Sequence, residues 1–303
     1  GSIAAQTYPQ RVIRLICPFP AGGGTDVVAR LVAQYLSADN GWNVVVENRA
    51  GGNGTIGAAE GSRGNPDGHD LMIGSTDSHI FGPLFTKTSF DTVRDFTPIA
   101  IVATTPLLFT GSSKGKYPDF KAIFDAAKAK PDAINLGSNG RGSASHVAYE
   151  LLKAKTGVTM RHVPYRGSAA SVQDLVGGHV DMVGSSVASA VSLVRSGELR
   201  GLAVTSPQRS SSLPDVPTLR ELGYDVEVNV WMGVFGPAKV PADIVEKVHA
   251  AVQKAAARPE MQVALATQGF EVAAMPQAQF AAAVKADMEF WRELVKQAGI
   301  EPE

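Results

Sequence analysis

The apolar positions of this chain keep changing period. Residues 11–17 (RVIRLIC) alternate and carry β-branched side chains, which predicts a strand. Val27, Val28, Leu31, Val32, Tyr35 and Leu36 then recur at helical spacing, with Thr25 or Asp26 as N-cap. Pro18-Phe19-Pro20-Ala21-Gly22-Gly23-Gly24 lies between them, so the first unit is strand, glycine loop and capped helix. A strand at 44–46, a glycine loop at 51–54 and a short helix at 56–62 follow. The turn Asn65-Pro66-Asp67-Gly68 then leads to a third strand at 70–74.

Further on, strands are expected at 99–102, 134–136, 160–163, 180–183, 199–205 and 270–273. Helices are expected at 120–128, 144–155, 169–176, 186–196, 242–257, 260–268 and 277–298. A polar, proline-bearing connection covers 207–217 with a short helix after it, and 226–235 is one extended run. Strands separated by helices mean mostly parallel sheets with helices on both faces. Two such sheets fit 303 residues better than one. The runs at 103–110 and 229–235 are the candidate crossings. The expected lobes are therefore 1–104 plus 233–303, and 105–232. Two crossing strands would act as a hinge, with a ligand cleft between the lobes.

Composition narrows the function. Lys and Arg number 28 against 29 Asp and Glu, a net charge of −1, which offers no basic field to nucleic acid. Only 19% of residues are charged and 44% are apolar, so disorder is excluded. The one cysteine, Cys17, rules out a disulfide framework, a zinc finger and a thiol relay. No apolar run approaches the roughly 20 residues of a bilayer crossing. Gly1-Ser2 reads as a cloning remnant, with any leader already removed.

The chemistry suggested by the loops is anion binding. Three successive glycines let backbone approach a ligand, and the helix start behind them offers unpaired N–H groups and the positive end of its dipole. A plain tight turn is the competing reading. Ser138-Asn139-Gly140-Arg141-Gly142-Ser143-Ala144-Ser145-His146 repeats the arrangement in the middle of the chain, where His146 is by default a core or capping histidine. Two such loops in opposite lobes suggest a carboxylate gripped from both sides. Gly52-Asn53-Gly54-Thr55-Ile56-Gly57 satisfies G-x-G-x-x-G, and Asp77 stands 25 residues beyond Gly52. A nicotinamide-dependent oxidoreductase is therefore the rival reading. Four residues separate that loop from its strand, and its helix is short. No G-x-S-x-G, H-E-x-x-H or P-loop occurs, and the six histidines lack metal spacing, so neither enzyme nor metal nor cofactor is expected. Arg166 is a rim residue by default, Trp231 a hinge-packing residue or a cleft wall, and Asp77 a turn former or an acceptor facing ligand.

Phe19-Pro20-Ala21-Gly22-Gly23-Gly24-Thr25-Asp26, Val45-Val46-Glu47-Asn48-Arg49-Ala50-Gly51, the 138–146 loop and His162-Val163-Pro164-Tyr165-Arg166-Gly167-Ser168 form a set. Leu202-Ala203-Val204-Thr205 and Asp215-Val216-Pro217-Thr218 belong with them. The set resembles the Bug-type extracytoplasmic solute receptors of tripartite tricarboxylate transporters, in order, over residues 8–300. The resemblance implies a two-lobed periplasmic binding protein of the type II-like architecture, monomeric, capturing a small carboxylate for membrane transporter or sensor subunits. It also implies that the two glycine loops hold the first carboxylate, partly through ordered waters. Carried across, it nominates Phe19, Ala21, Gly22, Thr25 and Asp26 in lobe one, and Ser138, Asn139, Gly142, Ser143 and His146 in lobe two. Ser75 and Thr76 match the cleft-lining strand end, and Tyr165 and Gly167 the opposite wall. Two positions depart from the family. Asp77 replaces a small residue and would favour a hydroxyl or amino group, and Gly184-Ser185-Ser186 replaces a bulkier wall, which suggests room for an aromatic acid as well as a dicarboxylate. An effector-sensing regulator would share the fold, but neither terminus offers a DNA-reading element.

Overall fold

The computed structural model describes residues 7–300, so the Gly1-Ser2 start lies outside the described residues. The first elements are β1 (Ile13–Cys17), α1 (Gly24–Asn40), β2 (Val44–Asn48), α2 (Thr55–Ser62), β3 (Asp70–Ser75), α3 (Gly82–Phe85) and β4 (Phe96–Ser112). There follow α4 (Phe120–Ala129), β5 (Asn135–Ser138), α5 (Ala144–Thr156), β6 (Arg161–Pro164), α6 (Ser168–Val176), β7 (Met182–Ser186), α7 (Val187–Ser196) and β8 (Leu199–Val204). The chain closes with β9 (Asn229–Pro237), α8 (Ala242–Ala256), α9 (Pro259–Thr267), β10 (Glu271–Val272) and α10 (Gln277–Ala298). A 3₁₀ turn at Gly52–Gly54 and a π-helical turn at Asp77–Phe81 complete the set.

The strands run in the order β2-β1-β3-β9-β4-β7-β5-β6, with β10 and β8 also paired to β4. β4 is where one sheet becomes two. From Phe96 to Pro106 it pairs with β9, and from Leu107 onward with β7 and β8. The flanks β1–β3 and β5–β7 are parallel, while β9 opposes both of its neighbours. The molecule is thus a two-lobed α/β protein with mixed sheets: the outer strands are parallel as expected, but β4 and β9 run antiparallel to every strand they pair with, so the sheets are not mostly parallel. We propose the lobe division at 104/105 and 232/233; the pairing of β4 changes hands near the first of these, at Pro106–Leu107.

The chemistry of that exchange is local. Pro106 has no N–H to give to a ladder. One residue on, Leu107 N–H donates to Thr205 Oγ1 at 2.9 Å instead of to a strand, and Thr205 N–H returns to Leu107 O at 3.0 Å. Thr205 Oγ1 also donates to Val228 O at 2.5 Å, which ties the outgoing crossing to the returning one.

Alternation along the strands of lobe one sorts its two faces. Leu15, Leu71, Ile73 and Val234 bury against α1 and α8, whereas Ile16, Met72 and Phe235 face α2 and α10. Two expectations differ. β4 is one strand of 17 residues, not a strand and a separate crossing. The short helix expected after Pro217 is replaced by turns: Leu222 N–H reaches Thr218 O, and Gly223 at φ +96° ends the turn before it propagates.

His79 lies in the aromatic face, stacked on Phe235 at 4.4 Å and tilted against Phe96 at 4.5 Å. Its Nδ1 meets Ser78 Oγ at 2.8 Å and its Nε2 has no partner among the described residues. Burial pushes its pKa down to about 3. The unfolded chain takes up that proton near pH 6.5, so stability should be full above about 6.5 and fall below it, by up to about 1.4 kcal/mol per pH unit. Urea midpoints between pH 4.5 and 7.5 test this: His79→Phe should flatten the acid limb, and an unchanged limb would remove His79 as its source.

Candidate ligand-binding site

The first loop is shaped by its own helix. Gly22 stands at φ +87°, exposed, in a conformation that side chains rarely adopt. Asp26 in the first turn of α1 is buried and reaches back to it. Its Oδ2 accepts from Gly22 N–H at 2.9 Å and Arg30 Nε at 3.0 Å, and its Oδ1 from Asn48 Nδ2 at 2.8 Å. Burial pushes the Asp26 pKa up, but those bonds from Asn48, Gly22 and Arg30 outweigh it and hold the carboxyl below its ordinary value. Asp26 therefore braces the loop, with both oxygens committed. Thr25 is buried beside it, and Ala21 and Gly22 form the exposed crest.

Phe19 joins this loop to the next one. A Cβ on Gly54 would come within 2.9 Å of the Phe19 ring and 2.6 Å of Ser78. A Cβ on Gly57 would lie 2.7 Å from both Arg49 O and Pro18. Gly54 and Gly57 of the G-x-G-x-x-G match are thus required by close packing against the Pro18-Phe19 turn, while Gly52, at φ +58°, sits against Thr55 of α2. The loop is a 3₁₀ turn before a helix of eight residues, with Asn53 itself left-handed at φ +52°. At the end of β3, Ser75 and Ser78 bond one another, and Thr76 Oγ1 accepts from Trp231 N–H at 3.0 Å. Trp231 is a hinge-packing residue: its indole N–H donates to Asp287 on α10 at 2.7 Å and its rings meet Phe235 and Phe280.

The second loop is braced the same way. Ser138 Oγ meets His162 Nε2 at 2.6 Å and receives Gly140 N–H at 3.2 Å. Ser143 caps α5, accepting from His146 N–H at 3.4 Å while donating to Gly140 O at 2.6 Å. Asn139 N–H goes to Ser145 Oγ at 3.0 Å. His146 Nδ1 accepts Gly142 N–H at 3.0 Å, so the ring proton sits on Nε2 and points to Glu150 Oε1 at 3.3 Å. Both nitrogens of His146 are occupied, and it acts through the loop. His162 stacks on it at 4.2 Å, its pKa pushed down to about 4 by burial and then by the neighbouring His146. Tyr165 lies against Gly137 and donates its hydroxyl to Asp174 at 2.7 Å, while Gly167 at φ +117° opens α6. At the distal wall Ser185 is fully buried, and a Cβ on Gly184 would already meet Ser145 at 3.1 Å and the Phe109 ring at 3.3 Å. Gly184 itself therefore leaves little free space beside it, its place being taken by Ser145 and Phe109.

The second loop meets the other lobe at α3 and at the turn after β3. Gly142, at φ +78°, backs onto Phe85 of α3, with 2.8 Å between its virtual Cβ and the ring. The Asp77 carboxyl is approached by the Ala144 backbone N–H across the seam and by the Asn53 side chain from its own lobe. Gly269 packs on Val187 and Ala188 at the start of α7, where Thr105 Oγ1 also donates to its carbonyl at 3.2 Å. Asn53, Phe85, Ala144 and Gly269 were not among the residues nominated from the sequence. Asn53 alone left a signal there, a non-glycine between two glycines.

A two-lobed α/β fold in which two glycine loops are each braced by the helix behind them is the architecture of a solute-binding receptor. Residues 28–300 match the family described as the tripartite tricarboxylate transporter family receptor, and the chain belongs to that family. It is 32% identical over 300 residues to protein BugT of Bordetella pertussis, covering 98% of this chain and 92% of that one. An R. palustris protein solved with adipate is 31% identical with a TM-score of 0.88, over 98% of this chain and all of the other. MatC from Rhodopseudomonas palustris, solved with bound malate, is 30% identical with a TM-score of 0.83, over 95% and 100%. The chain is a periplasmic-type solute receptor and not an enzyme, which sets aside the oxidoreductase reading of residues 52–57. Among the described residues no helix is long and apolar enough to cross a membrane.

Asp26→Ala leaves the Gly22, Asn48 and Arg30 donors unanswered. It should lower stability by about 1–3 kcal/mol in urea unfolding, with Asp26→Asn losing less. An unchanged midpoint in Asp26→Ala would show that the loop holds its shape without the brace.

Proposed function

We propose that this receptor captures a small aliphatic carboxylate between its lobes and delivers it to membrane transporter or sensor subunits, acting in the periplasm as a monomer after loss of a leader. One observation supports this reading above the rest. Two helix starts, α1 and α5, come from different lobes, each behind a glycine loop braced by its own side chains, and the second meets the first lobe at Asp77 and Phe85. The first-turn N–H groups of such helices favour an anion without a paired guanidinium. Phe19, Ala21, Gly22, Thr25, Ser75, Thr76, Asn139, Gly142, Ser143, Tyr165, Gly167 and Ser185 are proposed to line the pocket or its walls. Asp26, Ser138 and His146 are proposed to position them. Closure about the β4 and β9 crossings would bury the acid; micromolar affinity corresponds to about −8 kcal/mol, within reach of a small ligand. Relatives solved with adipate and malate, both aliphatic dicarboxylates, support an aliphatic acid over an aromatic one.

Thermal melts with propionate, lactate, succinate, malate, adipate, benzoate and NAD test the class. At 100-fold excess over Kd a ligand stabilises by about 2.7 kcal/mol, an easily read upward shift for at least one aliphatic acid. A shift with NAD alone would overturn the reading. Ser143→Trp fills the mouth of α5 and should abolish calorimetric binding of whichever acid shifts the melt, with the circular dichroism spectrum retained. Undiminished affinity in that variant would take the second loop out of the site.

A further inference from the structure

Asp77 takes part neither in the β4–β9 crossings nor in the braces of the two glycine loops. It is the first residue of the π-helical turn after β3, and its side chain lies on the seam between the lobes. The Ala144 N–H at the start of α5 and the Asn53 amide approach the carboxyl, yet Oδ1 is shielded from solvent and has no hydrogen-bond partner among the described residues. A carboxylate offers about four lone-pair sites, and a buried oxygen left without a donor is costly. The hydroxyls nearest in sequence do not serve it, because Ser78 bonds Ser75 and the His79 ring. Nor is Asp77 needed as a helix cap, since Ser143 already caps α5.

The Ala144 N–H belongs to the same first turn that, on the proposed function, receives the ligand's carboxylate. An unsubstituted acid docked there sets its charge beside that of Asp77 with nothing between them. A hydroxyl or ammonium on the next carbon would lie between the two carboxylates and donate to the orphaned Oδ1. We infer that Asp77 selects the ligand, accepting a hydrogen bond from the substituent on the carbon next to the captured carboxylate, so that 2-hydroxy and 2-amino acids bind in preference to their unsubstituted counterparts. This rests on the carboxylate-capture reading and adds a chemical class to it. The departure at Asp77 thereby becomes a specificity device.

Matched ligands separate the two claims. Titration calorimetry would compare L-lactate and L-alanine with propionate, and L-malate and L-aspartate with succinate, on the intact chain. In at least one series a substituted acid should bind ten or more times tighter than the unsubstituted one. Asp77→Asn, or Asp77→Ser if the first variant does not fold, should collapse that ratio to within about threefold, chiefly by weakening the substituted acid. Equal binding within both series, or a ratio that survives in the folded variant, overturns the role of Asp77 and leaves carboxylate capture standing. Binding by none of the six probes, with adipate and benzoate also inert, overturns capture and this inference together.

Discussion

A single strand shared by two sheets is the constraint on which this molecule depends. β4 is buried along nearly its whole length, and at Pro106–Leu107 it leaves the company of β9 for that of β7 and β8. A ladder cannot be handed over without stranding backbone groups, since each buried N–H and C=O needs a partner. Here the gap falls at a proline, which brings no N–H, and the threonine hydroxyl of Thr205 takes the next donor. At this point the ladder is therefore carried by a few hydrogen bonds, one of them to a side chain in place of a strand. That is the local construction a hinge requires.

From this follows the position of everything that matters for binding. Parallel strands on either side of the crossings end toward one seam, and the helices after them begin there. The two glycine loops are built alike: a side chain from the following helix turns back to hold the loop's own N–H groups, Asp26 for Gly22 and His146 for Gly142. Loop N–H groups held in this way cannot collapse onto a neighbour. On the proposed function, the helix starts behind them are held ready in advance, which would lower the ordering cost of binding. Asp26 and His146 thus act on the loops themselves, each through the glycine N–H it holds.

Much of this was legible in the sequence because the periods are strong. The strand, loop and helix of residues 11–36 and the 138–146 loop sit where alternation and glycine punctuation place them. What periodicity could not show is how one loop packs on another. Gly52-Asn53-Gly54 looked like a phosphate loop because glycine spacing records only that backbone comes close to something; the something is Phe19, Pro18 and Ser78. Gly184 looked like added room for the same reason, and Phe109 and Ser145 fill it. The roles of Phe85 and Ala144 rest on contacts across the seam, between residues about sixty positions apart, and apolar residues of that kind carry no local mark. Asp26 and His146 carry a mark in the sequence, but that each holds a glycine N–H of the loop before it shows only in the structure.

A crystal structure of the complex with the tightest-binding acid tests the central claim most directly. The account predicts one carboxylate within about 3 Å of N–H groups from the first turns of both α1 and α5. It is contradicted if the acid instead occupies the outer cavity of about 510 Å³ lined by Arg141, Lys153 and His162, with the seam between Gly22 and Ser143 left empty.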